Sequence, residues 1–420
     1  MALATTPKPT CQKQRFQNGE VHSWYRLVLG YSDKLVARVL TDMHVPVGST
    51  VLDPFCGSGT TLVECLKLGI HAVGVDANPA GCFATRVKCN WKVDVEELDS
   101  AIEEVAAYYE EKLLRRARFK TDPTFQYLDT NGLLDRGWIS AKPLRKSIAL
   151  KQSILALSVS SEIKDLIMLA LISEVVQSAS NVKFGPEIYC SKPKSDANVL
   201  QGLQGRIAEM RKDLIVARGY SPASCLVIQG DSRDLSVLDL KNRKVTAIIT
   251  SPPYPTEHDY TRNTRLELAF LEEVTCKTSL RTIKNGMLRS HTKGIYKGDD
   301  DAVHMPELTI INQIVSEIEE LSTGSSGFEK LYPSVVREYF GGMSRHLRSA
   351  FELLPSGSCA AYVVGDQNSY KRVRIPTAEV LRQIALEVGF HKASIDTWRS
   401  RWSTGTNSLV DENILIVRKP

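Results

Sequence analysis

The sequence predicts an α/β fold built on a parallel sheet, and three observations support this. Short runs of β-branched and other apolar residues, typical of buried strands, alternate with segments of helical periodicity. Residues 49–53 and 72–76 are two such runs with one predicted helix, 60–68, between them, which is the element order of a parallel sheet. Turn-forming Gly, Pro and Asp residues follow the predicted strands directly.

The remaining elements extend this pattern along the chain. Apolar residues at helical spacing predict a helix over 25–40, ahead of the first strand. The sheet resumes, after a long interruption, with predicted strands at 225–228 and 245–250. The C-terminal part completes the set with predicted helices at 335–354 and 377–388 and predicted strands at 359–364 and 413–417.

Two insertions are expected to interrupt the sheet. Asp94 and Glu97 form a capping box, and helical patterning continues from there to about residue 216. A second stretch is polar, basic in its first half and then acidic, and its pattern predicts irregular structure. We therefore predict a core domain of residues 20–95 and 225–420, a helical insertion of residues 96–220 and an irregular insertion of residues 275–333.

Composition excludes several classes of protein. The longest apolar run, 166–172, is far shorter than the roughly 20 residues that cross a bilayer. The polar start of the chain lacks the apolar stretch of a secretory signal, so we expect a cytoplasmic protein. Nine scattered cysteines without a Cys/His cluster predict reduced thiols and no metal site. The net charge of +5 suits a polyanionic partner without identifying one.

The first predicted strand runs into the turn Asp53-Pro54-Phe55-Cys56-Gly57-Ser58-Gly59-Thr60-Thr61. Glycines let a ligand approach the main chain, and open α/β sheets bind ligands at the carboxyl ends of their strands. A dinucleotide-binding turn needs a third glycine where Leu62 stands, and a P-loop needs a Gly-Lys pair that the chain lacks. The candidate cofactor-binding residues of the turn are Asp53, Phe55, Gly57, Gly59, Thr60 and Thr61.

Two more carboxylates are predicted at the same edge of the sheet. Asp76 ends the second strand, where it is well placed to accept hydrogen bonds from ribose hydroxyls. Asp231, beside Ser232, follows the next strand, where an adenine amino group has an acceptor. The alternative is an ordinary turn with two helix-capping aspartates.

A second motif, Thr250-Ser251-Pro252-Pro253-Tyr254, follows another buried strand. Its two prolines end the strand and fix a rigid turn. The Ser251 side chain and the Pro252 carbonyl offer two acceptors for both N–H groups of an exocyclic amine, and Tyr254 offers a face for a base flipped out of a duplex. Much of the rate would then come from positioning. The candidate catalytic residues are Ser251, Pro252, Pro253 and Tyr254; the alternative is a rigid surface turn or a proline-rich ligand motif.

Together the two motifs resemble those of DNA amino-methyltransferases, the N4-cytosine and N6-adenine enzymes usually found in restriction-modification systems. The resemblance covers the core domain and does not extend over the insertions. It implies a seven-stranded, mostly parallel, Rossmann-like methyltransferase sheet with one antiparallel strand near 413–417. It also implies S-adenosylmethionine as cofactor, in a pocket lined by Phe55, Gly57, Asp76 and Asp231 with the N-terminal segment His22-Ser23-Trp24-Tyr25-Arg26.

The resemblance further implies double-stranded DNA as substrate and a cognate restriction endonuclease as a candidate partner. Family members with Ser before Pro-Pro-Tyr are mostly N4-cytosine enzymes, so Ser251 favours cytosine N4. Three alternatives stay open: adenine N6 in DNA, the N2 amine of guanine in RNA, and a non-catalytic regulator that binds S-adenosylmethionine. The chain does not resemble the cytosine C5 methyltransferases. In those enzymes the nucleophilic cysteine follows a proline, and no cysteine of this chain follows one.

Several basic residues are candidates for contacts with nucleic acid. Residues 277–297 hold Lys and Arg without Asp or Glu and lie close to the catalytic motif, although a solvated face is the alternative. The candidate substrate-binding residues are His258, Arg262 and Arg289. Other segments of interest are Gly365-Asp366-Gln367, Trp398-Arg399-Ser400-Arg401-Trp402 and the cations Arg115, Arg116, Arg118 and Lys120, which fit the end of a helix. Either insertion is a candidate for target recognition.

Overall fold

The computed structural model describes residues 21–27, 30–114, 119–185, 188–403 and 408–420. Residues 1–20 and the cations Arg115, Arg116 and Arg118 lie outside the described residues. The strands are β1 (Thr50–Asp53), β2 (His71–Asp76), β3 (Val182–Phe184), β4 (Ile188–Cys190), β5 (Cys225–Gln229), β6 (Ala247–Thr250), β7 (Cys359–Gly365), β8 (Lys392–Ser403) and β9 (Ser408–Arg418).

Helices fill most of the rest of the described chain. They are α1 (Asp33–Asp42), α2 (Thr60–Lys67), α3 (Pro79–Lys88), α4 (Val95–Leu114), α5 (Pro123–Thr130), α6 (Ala141–Ala156), α7 (Ser161–Glu174), α8 (Val199–Ala217), α9 (Tyr260–Asn263), α10 (Arg265–Phe270), α11 (Lys277–Asn285), α12 (Thr309–Ser322), α13 (Tyr332–Leu353) and α14 (Thr377–Val388). None of those in the described part of the chain combines the length and apolar surface that crossing a bilayer requires.

Seven strands form one sheet in the order β5-β2-β1-β6-β7-β9-β8. All neighbouring pairs from β5 to β7 are parallel, and β9 runs antiparallel to both β7 and β8. The prediction of a seven-stranded, mostly parallel sheet with one antiparallel strand near the C-terminus is therefore confirmed. The chain moves outward from β1 through β2 on one side and from β6 through β7 on the other. The carboxyl ends of β1 and β6 consequently meet at a topological switch point, where such sheets bind ligands.

Successive residues of a strand point to opposite faces of the sheet. Both faces are apolar here, and helices cover each of them. On one face Leu52 and Ile248 pack in a cluster with α13 and α14. On the other face Val51 and Ile249 pack with α1 and α2. The result is a three-layer α/β/α arrangement that presents the strand ends at one edge.

A third apolar cluster joins residues of the predicted helical insertion, 96–220, to the core. It contains Leu98, Ile148 and Leu171 from the insertion together with Phe83 of α3 and Phe270 of α10. Asp94 caps α4 as expected, since its side chain accepts hydrogen bonds from the backbone N–H groups of Glu96 and Glu97. The insertion thus packs on the core through a continuous apolar interface.

Several expectations differ from the structure. The helix expected from residue 25 begins only at Asp33. The insertion at 275–333, expected to be irregular, contains α11 and the 14-residue α12, so that expectation was wrong. Strand β8 was not predicted, because its polar and apolar residues mark an edge strand with both faces partly exposed.

Candidate functional site

The turns after β1 and β6 face one cavity at the switch point. Both sequence motifs contribute to its wall, as do the ends of β2 and β5 and residues Leu27, Gly30 and Tyr31. The segment His22 to Arg26, expected here from the resemblance, lines a second cavity instead through His22, Tyr25 and Arg26. The sequence-predicted residues that line it are Phe55, Gly57, Thr60, Asp76, Asp231, Ser232, Ser251, Pro252, Pro253 and Tyr254. The two motifs, about 200 residues apart in the chain, therefore belong to one site.

Asp53 lies behind this cavity rather than in its wall. Its fully buried carboxylate accepts hydrogen bonds from Thr250 Oγ1 (2.6 Å), Thr61 Oγ1 (2.6 Å), Tyr31 Oη (3.0 Å) and the Phe55 N–H (3.1 Å). Burial raises the pKa of this carboxyl, and the four hydrogen bonds oppose that rise. One carboxylate thus ties Thr250, the first residue of the catalytic motif, to the cofactor turn.

Gly59 and Thr61 also lie outside the lining of the cavity. Gly59 adopts a φ of +82°, and a Cβ there would come within 2.8 Å of the Thr85 side chain. The Thr61 hydroxyl donates its hydrogen bond to the Asp53 carboxylate. The structure places both in positions that shape the turn, so their direct contact with a cofactor stays a prediction, as does that of Asp53.

The Asp76 carboxylate stands at the end of β2 and faces the cavity. It accepts hydrogen bonds from the N–H of Gly57 (2.8 Å) and the N–H of Asn78 (2.7 Å). Burial raises the pKa of Asp76 to about 6, while these two backbone donors oppose the rise. Its orientation is fixed, and lone pairs remain for hydroxyl donors in the cavity.

Asp231 lines the cavity but is also held from outside it. Arg233 donates to both carboxylate oxygens (2.5 to 3.0 Å) and bridges to the buried Asp301 (2.5 Å). Arg345 pairs with Asp301 as well (2.7 Å). Part of the acidic run of the second insertion therefore braces the cavity wall instead of facing solvent.

An aromatic surface completes this end of the cavity. Phe55 packs edge to face on His346, with ring centroids 5.1 Å apart. His346 donates from Nδ1 to the Ser232 carbonyl (2.6 Å), and burial lowers the pKa of His346 to about 4, so the ring is neutral at pH 7. Met287 and Leu288 from the second insertion also line the cavity. An apolar slot between carboxylates suits a purine ring with a ribose attached.

The catalytic turn is fixed by two hydrogen bonds from its surroundings. Ser251 Oγ donates to the Val363 carbonyl (3.1 Å), which leaves its lone pairs free to accept. Tyr339 Oη of α13 donates to the Pro253 carbonyl (2.9 Å). Within the described residues the Pro252 carbonyl accepts no hydrogen bond, so it is available as a second acceptor beside Ser251.

Tyr254 is one of the residues that line both this cavity and a larger one. Its ring approaches Gly365 so closely that a Cβ there would lie 3.1 Å from Cε2, and its hydroxyl lies 3.4 Å from both Ser251 Oγ and Glu412 Oε1. Desolvation raises the pKa of Tyr254 far above neutrality, so the ring stays uncharged. An aromatic face is thus presented at the point where the two cavities meet.

The second cavity is walled by four parts of the chain. It is lined on the N-terminal side by His22, Tyr25, Arg26 and Tyr31, in the helical insertion by Val176, Gln177 and Phe184, after the catalytic motif by Thr256, Glu257, His258 and Tyr260, and near the C-terminus by Gln367, Ser369, Arg399, Arg401 and Glu412. Of the candidate substrate-binding residues, only His258 is among them.

Arg262 and Arg289 lie elsewhere. Arg262 is on α9, and its positive charge opposes the rise in the pKa of Cys190 that desolvation causes, which places it beside β4. Arg289 is buried and bound to Asp299 (2.7 Å) and to the carbonyls of Lys284 and Met287. The assignment of Arg289 to DNA contact is therefore corrected: its guanidinium holds a loop together.

Sequence reasoning missed the cavity residues that only the fold brings in. Leu27 and Gly30 follow the N-terminal segment His22 to Arg26, and Gly286, Met287 and Leu288 follow the end of α11. None carries a local signal, because their role depends on long-range packing. Within the described residues, no cluster of three or more His, Cys, Asp or Glu side chains is arranged to hold a metal ion.

Comparisons with known proteins agree with this geometry. A family model described as DNA methylase matches residues 26–84, which contain β1, the glycine turn, α2 and β2. The chain is 24% identical to Type II methyltransferase M.BsoBI of Geobacillus stearothermophilus, over 97% of this chain and 86% of that protein. It is 22% identical to Type II methyltransferase M.AvaI of a Nostoc species (89% and 80% covered) and to Type II methyltransferase M.MvaI of Kocuria varians (84% and 77% covered).

Proposed function

We propose that the chain is a DNA amino-methyltransferase that methylates the exocyclic N4 amine of cytosine at specific sites in duplex DNA; the matching family model and the similarity to Type II methyltransferases support this. The observation that carries the proposal is the meeting of Ser251 and Asp76 at one cavity, with Tyr254 between that cavity and a second, larger one. One cavity suits the cofactor, and the other admits the target nucleotide.

S-adenosylmethionine is the cofactor of this family, and the residues of the first cavity fit it. Asp76 would hold the ribose hydroxyls, because both of its oxygens are already oriented by backbone donors. The adenine would lie against Phe55 and Leu288, with Asp231 and Ser232 near its polar edge. When bound, the cofactor supplies a methyl group on a positively charged sulfur.

The catalytic turn prepares the amine for reaction. The lone pair of an exocyclic amine is delocalised into the base, which makes the nitrogen a poor nucleophile. Ser251 Oγ and the Pro252 carbonyl accept from its two N–H groups and draw it toward tetrahedral geometry, while Tyr254 stacks on the flipped base. The turn offers no strong base, so water takes the proton that the methylated nitrogen loses. Positioning supplies most of the rate.

The choice of cytosine over adenine rests on Ser251. A carboxylate at this position would have no proton to donate to the Val363 carbonyl and would face it with a negative charge, whereas the serine hydroxyl satisfies that carbonyl. Family members with Ser at this position are mostly cytosine N4 enzymes. The cytoplasmic location and a partner endonuclease remain predictions.

The test is analysis of the methylated product. The purified protein is incubated with plasmid DNA and isotopically labelled S-adenosylmethionine, and the DNA is digested to nucleosides for mass spectrometry. We expect labelled N4-methyldeoxycytidine from the unchanged protein and none from Ser251→Ala. Labelled N6-methyldeoxyadenosine would move the target to adenine. A parallel reaction is run on RNA. If the protein binds the cofactor but transfers no label to DNA, the proposal is contradicted, whether or not RNA is labelled.

A further inference from the structure

We propose that strands β3 and β4, here called the β3–β4 ribbon, enter a groove of the duplex beside the target base and read it, whereas the basic segment 277–297 does not. The inference rests on the proposed function and assigns target recognition to one of the two insertions. Four observations carry it.

The first is the position of the ribbon. Phe184, at the end of β3, lines the second cavity together with Tyr254 and His258. Val176 and Gln177 line the same cavity from a single π-helical turn, Val175–Ala179, which interrupts the helical path after α7. Such turns are frequent at functional sites. A base that enters this cavity to reach Tyr254 must therefore leave a duplex that lies against the ribbon.

The second observation is that the ribbon exposes aromatic side chains on both of its faces. Phe184 pairs with Ile188, and Lys183 pairs with Tyr189, so the two aromatic residues point to opposite sides. Phe184 is 36% exposed and Tyr189 is 57% exposed. A two-stranded ribbon fits the major groove of B-form DNA, and aromatic faces stack on bases.

The third observation is a rigid base beneath this exposed end. Asn181 is fully buried, donates from Nδ2 to the Gly137 carbonyl (2.9 Å) and accepts at Oδ1 from the Lys194 N–H (3.0 Å). The Asn181 carbonyl accepts from Ser191 N–H (2.8 Å). Lys183 and Lys192 place positive charge around the ribbon, where phosphates would run, whereas the Lys194 ammonium donates to the carbonyls of Ser178 and Ser180.

The fourth observation concerns the basic segment. Lys284 is paired with Asp259 (2.6 Å) and Arg289 with Asp299 (2.7 Å), so two of its cations are neutralised inside the fold. Its middle, Gly286 to Leu288, forms wall of the cofactor cavity and not of the second cavity. Its sequence suggests a DNA-binding loop, but its packing serves the cofactor side.

The experiment compares three variants in methylation of plasmid DNA by the full chain, with the methylated sites mapped by sequencing. Phe184→Ala combined with Tyr189→Ala should lower kcat/KM for plasmid DNA about 10- to 100-fold and relax the set of methylated sites, while the Kd for S-adenosylmethionine stays unchanged. Phe328→Ala is the matched control, because Phe328 is 58% exposed and lines neither cavity. Lys277→Ala combined with Lys297→Ala tests the basic segment and should leave the methylated sites unchanged.

The possible results distinguish failure of the ribbon inference from failure of the proposed function. Normal kcat/KM and unchanged sites for the ribbon variant overturn the inference and leave the proposed function intact. Altered sites in the basic-segment variant, with the ribbon variant unaffected, assign recognition to that segment instead. Absence of methylation of plasmid DNA by the unchanged protein overturns the proposed function and the inference with it. The unchanged cofactor Kd shows that the ribbon variant is folded.

Discussion

The Ser251 hydroxyl has a single proton, and the fold directs it to the Val363 carbonyl of β7. What remains on the oxygen is a pair of acceptor sites beside the Pro252 carbonyl, which accepts no hydrogen bond from the residues that the structure describes. The Ser251 hydroxyl is a weak acid and a weak base, but its neighbours fix its orientation. It can therefore favour one geometry of the substrate. Neighbouring groups also fix the orientations of Tyr254 and Asp76, and substitution of each residue gives a direct test.

Replacement of Tyr254 by Ala removes the aromatic face between the two cavities. We expect kcat/KM for DNA to fall about 10- to 100-fold, because stacking on a base contributes roughly 1–3 kcal/mol. Titration calorimetry should give nearly the same Kd for S-adenosylmethionine. Tyr254→Phe is the control, since it keeps the ring and loses only hydroxyl contacts of 3.4 Å. A large loss of cofactor affinity in Tyr254→Ala would mean that the ring belongs to the cofactor site.

Asp76 predicts a pH dependence of cofactor binding. The pKa of its carboxyl in the free protein is raised to about 6 by burial, and only the ionised form offers its full set of acceptors to ribose hydroxyls. The Kd for S-adenosylmethionine should therefore rise as the pH falls through 6 toward 5 and should be flat above 7. Asp76→Asn should bind about 10-fold or more weakly, since hydrogen bonds to a charged group contribute about 1.5–3 kcal/mol. Its Kd should not change across this pH range; a parallel pH response in the variant would assign the titration to another group.

At the scale of elements, the catalytic turn depends on a helix that the sequence places far from it. Tyr339 in the middle of α13 reaches the Pro253 carbonyl, while the same helix packs on the sheet through Val336 and Phe340. Helix packing and turn geometry are therefore coupled.

Tyr339→Phe removes one hydrogen bond to the turn without changing the packed volume. We expect kcat to fall roughly 2- to 10-fold, which corresponds to about 0.5–1.5 kcal/mol, and the Kd for the cofactor to stay constant. Steady-state kinetics on plasmid DNA would measure the first and calorimetry the second. An equal loss in both would indicate general loosening of the fold rather than a displaced turn.

Local sequence signals predicted the elements that are buried and lead into the site. The strands β1, β2 and β6 are apolar runs that end in turn residues, so their patterns are unambiguous. The helix α12 also carried a helical pattern, Ile311, Ile314, Val315 and Ile318, which the polar character of its surroundings concealed. Strand β8 is rich in polar residues because it lies at an exposed edge, and strands β3 and β4 have only three residues each, which is too short for a periodic signal. The approach of Gly365 to Tyr254 likewise depends on tertiary packing and has no trace in local sequence.

At the scale of the molecule, the helical insertion is fastened to the core by charge as well as by its apolar interface. The Lys151 ammonium of α6 is 1% exposed and donates to Asp122 (2.8 Å), Thr124 Oγ1 (2.8 Å) and Glu272 (2.9 Å). Glu272 follows α10, which belongs to the core. The ion pair between Lys151 and Glu272 therefore spans the junction between the insertion and the sheet domain.

Lys151→Met should destabilise the protein by about 3–5 kcal/mol, because it leaves the buried Asp122 carboxylate without its cation. Chemical denaturation would measure the loss. Lys212→Met is the matched control: its pair with Glu209 is exposed on both sides and should contribute at most about 1 kcal/mol. Equal stability of the two variants would contradict the role given to the junction.

The buried carboxylate of Asp53 has a consequence for how such a protein can change its target. Because it binds Thr250 on one strand and Thr61 and Tyr31 on the other side of the site, neither motif can be transplanted alone from a distant relative without breaking a shared support. The side chain at position 251, one step beyond that support, is not bound to it. The frame that carries both motifs is therefore expected to be inherited as one unit, whereas a substitution at position 251 would leave the hydrogen bonds of Asp53 in place.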